Sequence, residues 1–237
     1  MAASETPGEA APPPGRYPPP RCLHADDDLL VLDKPSGLLC VPGRGPDKQD
    51  CLSTRAQQHW PGALIVHRLD QATSGLVLMA RHPEVQRRLS LAFEQRQIHK
   101  RYQAVVQGLM PAPPEGSEWQ SIDLPIAADW ERRPLRIVDA AQGKPSLTHW
   151  RALAQGAAAN NNPLGPTTRV ELEPVTGRTH QLRVHLAAIG HPILGDALYA
   201  GAEALAAAPR LLLHACEMGL SHPRHGGWCA FHSAPDF

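Results

Sequence analysis

The 237-residue chain has no run of 18 apolar residues, no CxxC pair, no HExxH or HxxxH arrangement and no excess of either charge. Each absence excludes something. Without an apolar stretch of about 18 residues, no helix is expected to span a bilayer. The first residues lack the basic-then-apolar order of a secretory signal, so a cytoplasmic location is expected. Cysteines 22, 40, 51, 216 and 229 are odd in number and widely spaced, a poor disulfide framework and a poor zinc site. They read as reduced structural thiols, and no metal is expected among the thirteen histidines. Lys plus Arg equals Asp plus Glu at 23 each, so overall charge names no partner. Local charge says more. Residues 81–101 hold six Lys/Arg against two Glu, and Arg132, Arg133 and Arg136 form a second basic knot. Phosphate contacts need such local charge, although a solvated helix face explains it equally well.

What is present is enough for a globular protein. Apolar residues make up 42% and charged residues 19%, and a chain of this size buries about 70–75% of its unfolded surface without a staple. Residues 1–20 carry seven of the 25 prolines and almost no large apolar side chain, which predicts a disordered tail, with the folded domain over 21–237. Leu29 to Asp33 reads as a strand stopped by the turn Lys34-Pro35-Ser36-Gly37. A short helix is expected over 52–60, with strands at 64–66 and 76–80. Val85, Leu89, Ala92 and Phe93 recur at helical spacing after Pro83, predicting a helix to about Ile98. Strands follow at 102–106 and 169–173, short strands and turns over 109–146, and a flexible loop over 155–165. Thr179 is expected to cap a helix ended by Gly190, and Arg210 to His214 to form a last buried strand. Helices and strands do not alternate regularly. The fold class expected is α+β, a single catalytic domain with a mixed, mainly antiparallel sheet.

Three segments carry reactive side chains. In His67-Arg68-Leu69-Asp70-Gln71-Ala72-Thr73-Ser74-Gly75, Arg68 and Asp70 share one face of extended chain at a strand end; an ordinary surface pair has the same appearance. In Lys100-Arg101-Tyr102-Gln103-Ala104 the tyrosine opens a strand, where packing alone would account for it. In Thr176-Gly177-Arg178-Thr179-His180-Gln181-Leu182-Arg183-Val184-His185 a helix start with Gly, Thr and Arg suits an anion. Arg183, one turn inside, reads by itself as half of an exposed salt bridge. The pair of glycines in Pro42-Gly43-Arg44-Gly45 is not followed by GKS/T and reads as a surface loop.

Together these segments resemble the RluA-type family of pseudouridine synthases. HRLDxxTSG, KRYQAVV, TGRTHQLRVHLAAIGHPILGD over 176–196 and RLLLHA over 210–215 occur in that family's order, after the strand-turn KPSGL. VPGR at 41–44, DLPIAADW at 123–130 and APRLLLHA at 208–215 are similar to its short, dual-specificity subgroup. Members of that subgroup modify uridine in a tRNA anticodon stem-loop (position 32) and in a hairpin of 23S ribosomal RNA (position 746). An N-terminal S4-type RNA-binding domain, present in many relatives, is not expected in this chain. The resemblance implies a monomeric enzyme acting on structured RNA, with Asp70, Tyr102 and Arg183 catalytic. It also implies that Arg68 and Arg178 hold RNA and that Leu213, or neighbouring Leu212, packs under the base.

The chemistry fits those groups. Making pseudouridine breaks N1–C1′, turns the uracil and joins C5 to C1′, with no redox change and no cofactor needed. An ionised carboxylate either attacks C1′ or C6, or removes a ribose proton, so acylal, Michael and glycal routes all remain open. The resemblance makes Arg183 the cation that keeps Asp70 ionised. It places Tyr102 against the uracil, with its hydroxyl available to help remove the C5 proton. The nucleotide must be flipped out, at a cost of a few kcal/mol that is lower in loops than in duplex. Two other readings use the same residues: an RNA-binding or RNA-folding protein without catalysis, and a glycosylase or nuclease with Asp129 or Asp196 as a second acid.

Overall fold

A computed structural model describes residues 20–111, 113, 117–156 and 165–237. Except for Pro20, the expected N-terminal tail lies outside these residues, as does most of the 155–165 loop. Strands Arg21–Ala25 (β1) and Leu29–Lys34 (β2) are followed by helix Leu52–His59 (α1), Leu64–Ile65 (β3), Ser74–Ala80 (β4) and helix Pro83–Glu94 (α2). Then come His99–Gln107 (β5), Gln120–Asp123 (β6), Ile126–Ala128 (β7), Arg136–Val138 (β8), Leu147–Gly156 (β9) and Thr167–Pro174 (β10). Helices Gln181–Ala188 (α3) and Ala202–Ala206 (α4) precede Leu213–Ser221 (β11) and Trp228–His232 (β12).

Ten strands form one sheet in the order β1-β2-β4-β11-β5-β10-β9-β6, with β3 also on β4 and β12 also on β11; β7 and β8 make a separate hairpin. This is the α+β, mainly antiparallel architecture expected. One parallel pairing, between β4 and β11, joins the two halves through His214 opposite Ser74 and Ala215 opposite Gly75. Gly75 has φ +110°, and a Cβ there would stand 2.3 Å from the Ala215 carbonyl oxygen. Only glycine permits so close an approach. A hydrophobic cluster lies on each side of this seam. One is built on β2, β4, α1 and α2, the other on β5, β10 and α3. Tyr102 packs against both.

Several boundaries differ from the sequence expectation. Strand β5 begins at His99, so Tyr102 lies inside the strand and does not open it. Helix α2 ends at Glu94 rather than Ile98, because Arg96 turns left-handed at φ 59°. The N–H groups of Arg96 and Gln97 bond Phe93 and Ala92 carbonyls at 3.1 and 2.9 Å, a helix end normally made by glycine. The last apolar run begins the strand at Leu213, not Arg210, and continues to Ser221, its buried Met218 and Leu220 interleaved with Glu217 and Gly219. Thr179 does not cap α3. The N-cap is His180, in left-handed conformation and without a side-chain cap bond. The C-terminal end is as expected, with Gly190 at φ 87°. Among the described residues no helix is long and apolar enough to cross a membrane.

Candidate active site

At the seam between the halves opens a cleft of about 550 Å³, and all six residues singled out from the sequence line it: Arg68, Asp70, Tyr102, Arg178, Arg183 and Leu213. Leu213 is buried at the cleft wall, whereas Leu212 does not line it. The volume suits one flipped nucleotide with part of its flanking backbone.

Asp70 sits on the loop before β4, and the KPSGL segment holds that loop in place. Lys34 is fully buried, and its Nζ donates to the carbonyls of Pro35, Leu38 and Gln71 at 3.0, 2.8 and 3.0 Å. Ser36 Oγ donates to Ala72 O at 2.7 Å, and Gly37 N–H to Gln71 O at 2.8 Å. A buried ammonium is tolerated only when its protons are used in this way. The sequence marks Lys34 merely as the edge of a turn, because the carbonyls it serves lie up to 37 positions away. On the other side, the N–H of Leu69 reaches Cys40 Sγ at 3.3 Å.

Arg183 is not an exposed ion pair. It is 3% exposed, and its Nε and Nη2 clasp Asp196 at 2.8 and 2.6 Å. Asp196 is wholly buried and also accepts the N–H groups of Leu198 and Tyr199 at 2.9 and 3.2 Å. This side-on clasp turns Nη1 to Asp70 Oδ2 at 3.6 Å, while a quarter of the Asp70 side chain stays open to the cleft. Burial opposes the guanidinium charge, but Asp196 and Asp70 outweigh it and raise its pKa. Asp196 is thus an orienting group for Arg183. Asp129 caps its own turn by accepting from Arg132 N–H at 3.0 Å and Nε at 2.8 Å. Neither lines the cleft, so neither serves as the second acid of a hydrolase.

The rest of the third motif is scaffolding. The Gln181 amide donates to Leu147 O and Thr148 Oγ1, both at 3.0 Å, and its oxygen accepts from Arg178 N–H and Thr176 Oγ1 at 3.0 and 2.7 Å. His185 bridges Thr148 Oγ1 and Leu124 O, both at 2.9 Å. Helix α3 is therefore buried on nearly all sides and fixes Arg183 rigidly. Arg68 and Arg178 stand exposed at the rim.

Opposite them, burial and the Asp70 charge push the Tyr102 phenol well above its ordinary pKa. It stays protonated at neutral pH, which makes it a weak base and leaves its ring face as its main offering. Lys100 also lines the cleft, with burial lowering its pKa against the pull of Glu173. His67 stacks on Phe93 at 4.5 Å and accepts Leu78 N–H on Nε2 at 2.9 Å, so this histidine holds the loop to β4.

A buried Arg–Asp clasp turns its guanidinium toward a second, part-exposed carboxylate in a nucleotide-sized cleft at the seam of a divided mixed sheet. Residues 28–188 match the RNA pseudouridylate synthase family, and the chain belongs to it, an enzyme family that isomerises uridine to pseudouridine in RNA. Over 215 residues it is 46% identical to the dual-specificity RNA pseudouridine synthase RluA of Escherichia coli (strain K12), covering 91% of this chain and 93% of that protein. It is 42% identical to the RluA of Pasteurella multocida (strain Pm70) over the same shares. The solved human RNA pseudouridylate synthase domain containing 1 superposes with a TM-score of 0.74 at 28% identity, covering 92% of this chain and 84% of that one.

Proposed function

We propose that this enzyme is a dual-specificity synthase acting in the cytoplasm as a monomer, modifying uridine in a tRNA anticodon stem-loop and in a hairpin of large-subunit ribosomal RNA. The likeness to RluA over nearly both full lengths supports that substrate pair. Positions 32 and 746 are the targets proposed. The observation that carries the mechanism is the part-exposed Asp70 carboxylate beside the clasped Arg183.

In this reading the target nucleotide swings out of its loop into the cleft, and Arg68 and Arg178 hold the flanking phosphates or fill the vacated space. Uracil lies between the Tyr102 ring and Leu213. Asp70, beside the Arg183 guanidinium, acts on the ribose or the base and the N1–C1′ bond breaks. The uracil turns, C5 joins C1′, the C5 hydrogen leaves as a proton and N1 is reprotonated. Because phenolic Tyr102 is held protonated, its proposed part is stacking and orientation more than proton abstraction.

Tritium release from RNA labelled at uracil C5 tests this directly. Wild type is expected to release tritium from both a tRNA anticodon stem-loop and the ribosomal hairpin, and Asp70→Asn from neither. Release from one substrate alone removes the dual specificity. Binding without release by wild type would favour the RNA-binding reading instead.

A further inference from the structure

His180 lies in the cleft wall beside Asp70, in a backbone conformation that histidine rarely adopts. Its φ of 58° and ψ of 16° are left-handed, a strained conformation that persists only where the surroundings hold it. Arg96, the other non-glycine described at positive φ, closes a helix end. His180 closes none. It stands at the start of α3, where its side chain makes no cap bond.

The ring accounts for the strain. His180 Nδ1 lies 2.7 Å from the Tyr199 hydroxyl. That oxygen accepts the backbone N–H of Arg136 at 2.9 Å, so the phenolic proton is free to point at Nδ1. The imidazole proton then resides on Nε2, which faces Asp70 Oδ2 at 4.0 Å. Arg183 Nη1 approaches the same oxygen at 3.6 Å. Five charged or titratable groups surround the ring: Asp70 from the loop before β4, Arg183 from α3, Asp196 and Tyr199 from the turns after it, and Arg136 from β8. Burial leads, helped by the two arginines and opposed by the two aspartates, and the histidine is kept below its usual pKa, a neutral donor at pH 7.

We propose that His180 is a positioning residue for the isomerisation, its Nε2–H joining Arg183 on the Oδ2 oxygen of Asp70 and leaving Oδ1 for the reacting nucleotide. This rests on Asp70 being the reactive carboxylate. A contact of 4.0 Å is too long for a hydrogen bond, and catalytic contacts of this kind tighten once substrate is seated. Tyr199 and the Arg136 N–H set the tautomer, as partners behind a working histidine commonly do.

The test is single-turnover pseudouridine formation in a uridine stem-loop by wild type, His180→Gly, His180→Asn, Tyr199→Phe and Asp70→Asn, with the melting temperature of each. Glycine and asparagine both accept left-handed backbone, so one variant serves if the other fails to fold. His180→Gly is expected to lower kcat about 10- to 100-fold, the worth of a hydrogen bond to a charged group. RNA KM should stay within about twofold if the contact matters only once the reaction begins. Added imidazole should restore part of the rate to His180→Gly. Tyr199→Phe should give a smaller loss in the same direction. Unchanged kcat in His180→Gly and His180→Asn would overturn the proposal. So would a loss that tracks melting temperature, with no imidazole rescue. Activity in Asp70→Asn would instead overturn the reading of Asp70 itself, whatever the histidine variants do.

Discussion

Two of the clusters of aspartate, histidine and arginine among the described residues are made of nearly the same side chains. At the ends of β2, β4 and β11, Asp28 accepts Arg224 through Nε at 2.5 Å and Nη2 at 2.8 Å, and meets His82 at 3.0 Å. Its neighbour Asp26 meets His24 at 2.6 Å and His222 at 3.3 Å, and accepts the N–H groups of Asp28 and Leu29 at 2.8 and 2.7 Å. Behind the cleft wall, Asp196 is clasped in the same way by Arg183, but in the cleft the Asp70 carboxylate has only contacts of 3.6 and 4.0 Å. The difference is in completion. A carboxylate whose lone pairs are all engaged within the protein is part of the frame. One left short of partners, next to a cavity and to a guanidinium already committed elsewhere, is available to a substrate.

The strongest way to break this comparison is to exchange a carboxylate for its amide in each cluster. Asp70→Asn is expected to lower turnover at least about 10³-fold, because an amide is neither nucleophile nor base. Its melting temperature should barely change, since Asp70 makes no short contact. Asp28→Asn should do the reverse, losing charge-assisted bonds worth about 2–3 kcal/mol while kcat stays at the wild-type value. Stopped turnover in Asp28→Asn, or unfolding in Asp70→Asn, would reverse the assignment of the two clusters. Denaturant titration and tritium release on the same preparations decide it.

Asp196→Ala sharpens the contrast, because Asp196 belongs to the frame yet touches the reactive pair. Breaking a buried ion pair costs about 3–5 kcal/mol, and the freed guanidinium is expected to swing onto Asp70. Both stability and kcat should therefore fall. A variant destabilised but fully active would show that Arg183 needs no clasp to serve Asp70.

The residues proposed to react were legible because they stand in contiguous motifs. Asp70, Tyr102 and Arg183 each announce themselves within ten residues of sequence, and the helices and apolar strands follow from periodicity. What supports them was not legible. Lys34 serves a carbonyl 37 positions away, Asp196 reaches Arg183 across 13 positions, and Tyr199 reaches His180 across 19. Such contacts depend on how segments are stacked, which periodicity does not report. The end of α2 was missed for a local reason: Arg96 occupies a left-handed position where glycine is the usual sign. Strand β12, half-exposed at Trp228 to His232, lacks the apolar run that marks β4.

The two regions should also part company in acid, with an effect that vanishes at neutral pH. Beside the cleft, burial and the charge of Lys100 hold the His67 pKa down to about 3, from an ordinary 6.5. The unfolded chain therefore binds this proton at a higher pH than the folded one. Stability from His67 is complete above about pH 6.5 and drains as pH falls toward 3, with a slope of at most about 1.4 kcal/mol per pH unit for one proton. His180, His185 and His214 are shifted the same way by burial and add to that slope. At the strand ends, Arg224 and His82 outweigh burial and hold Asp28 down to about 2, from 3.8. Its contribution is intact until about pH 4 and is lost between there and 2. Denaturant midpoints measured from pH 7 to 2 should thus fall in two stages. His67→Gln, which keeps an acceptor for the Leu78 N–H, should flatten the upper stage, and Asp28→Asn the lower. An upper stage unchanged in His67→Gln would mean that the remaining buried histidines, and not the one that ties the Asp70 loop to β4, set the acid sensitivity of the cleft.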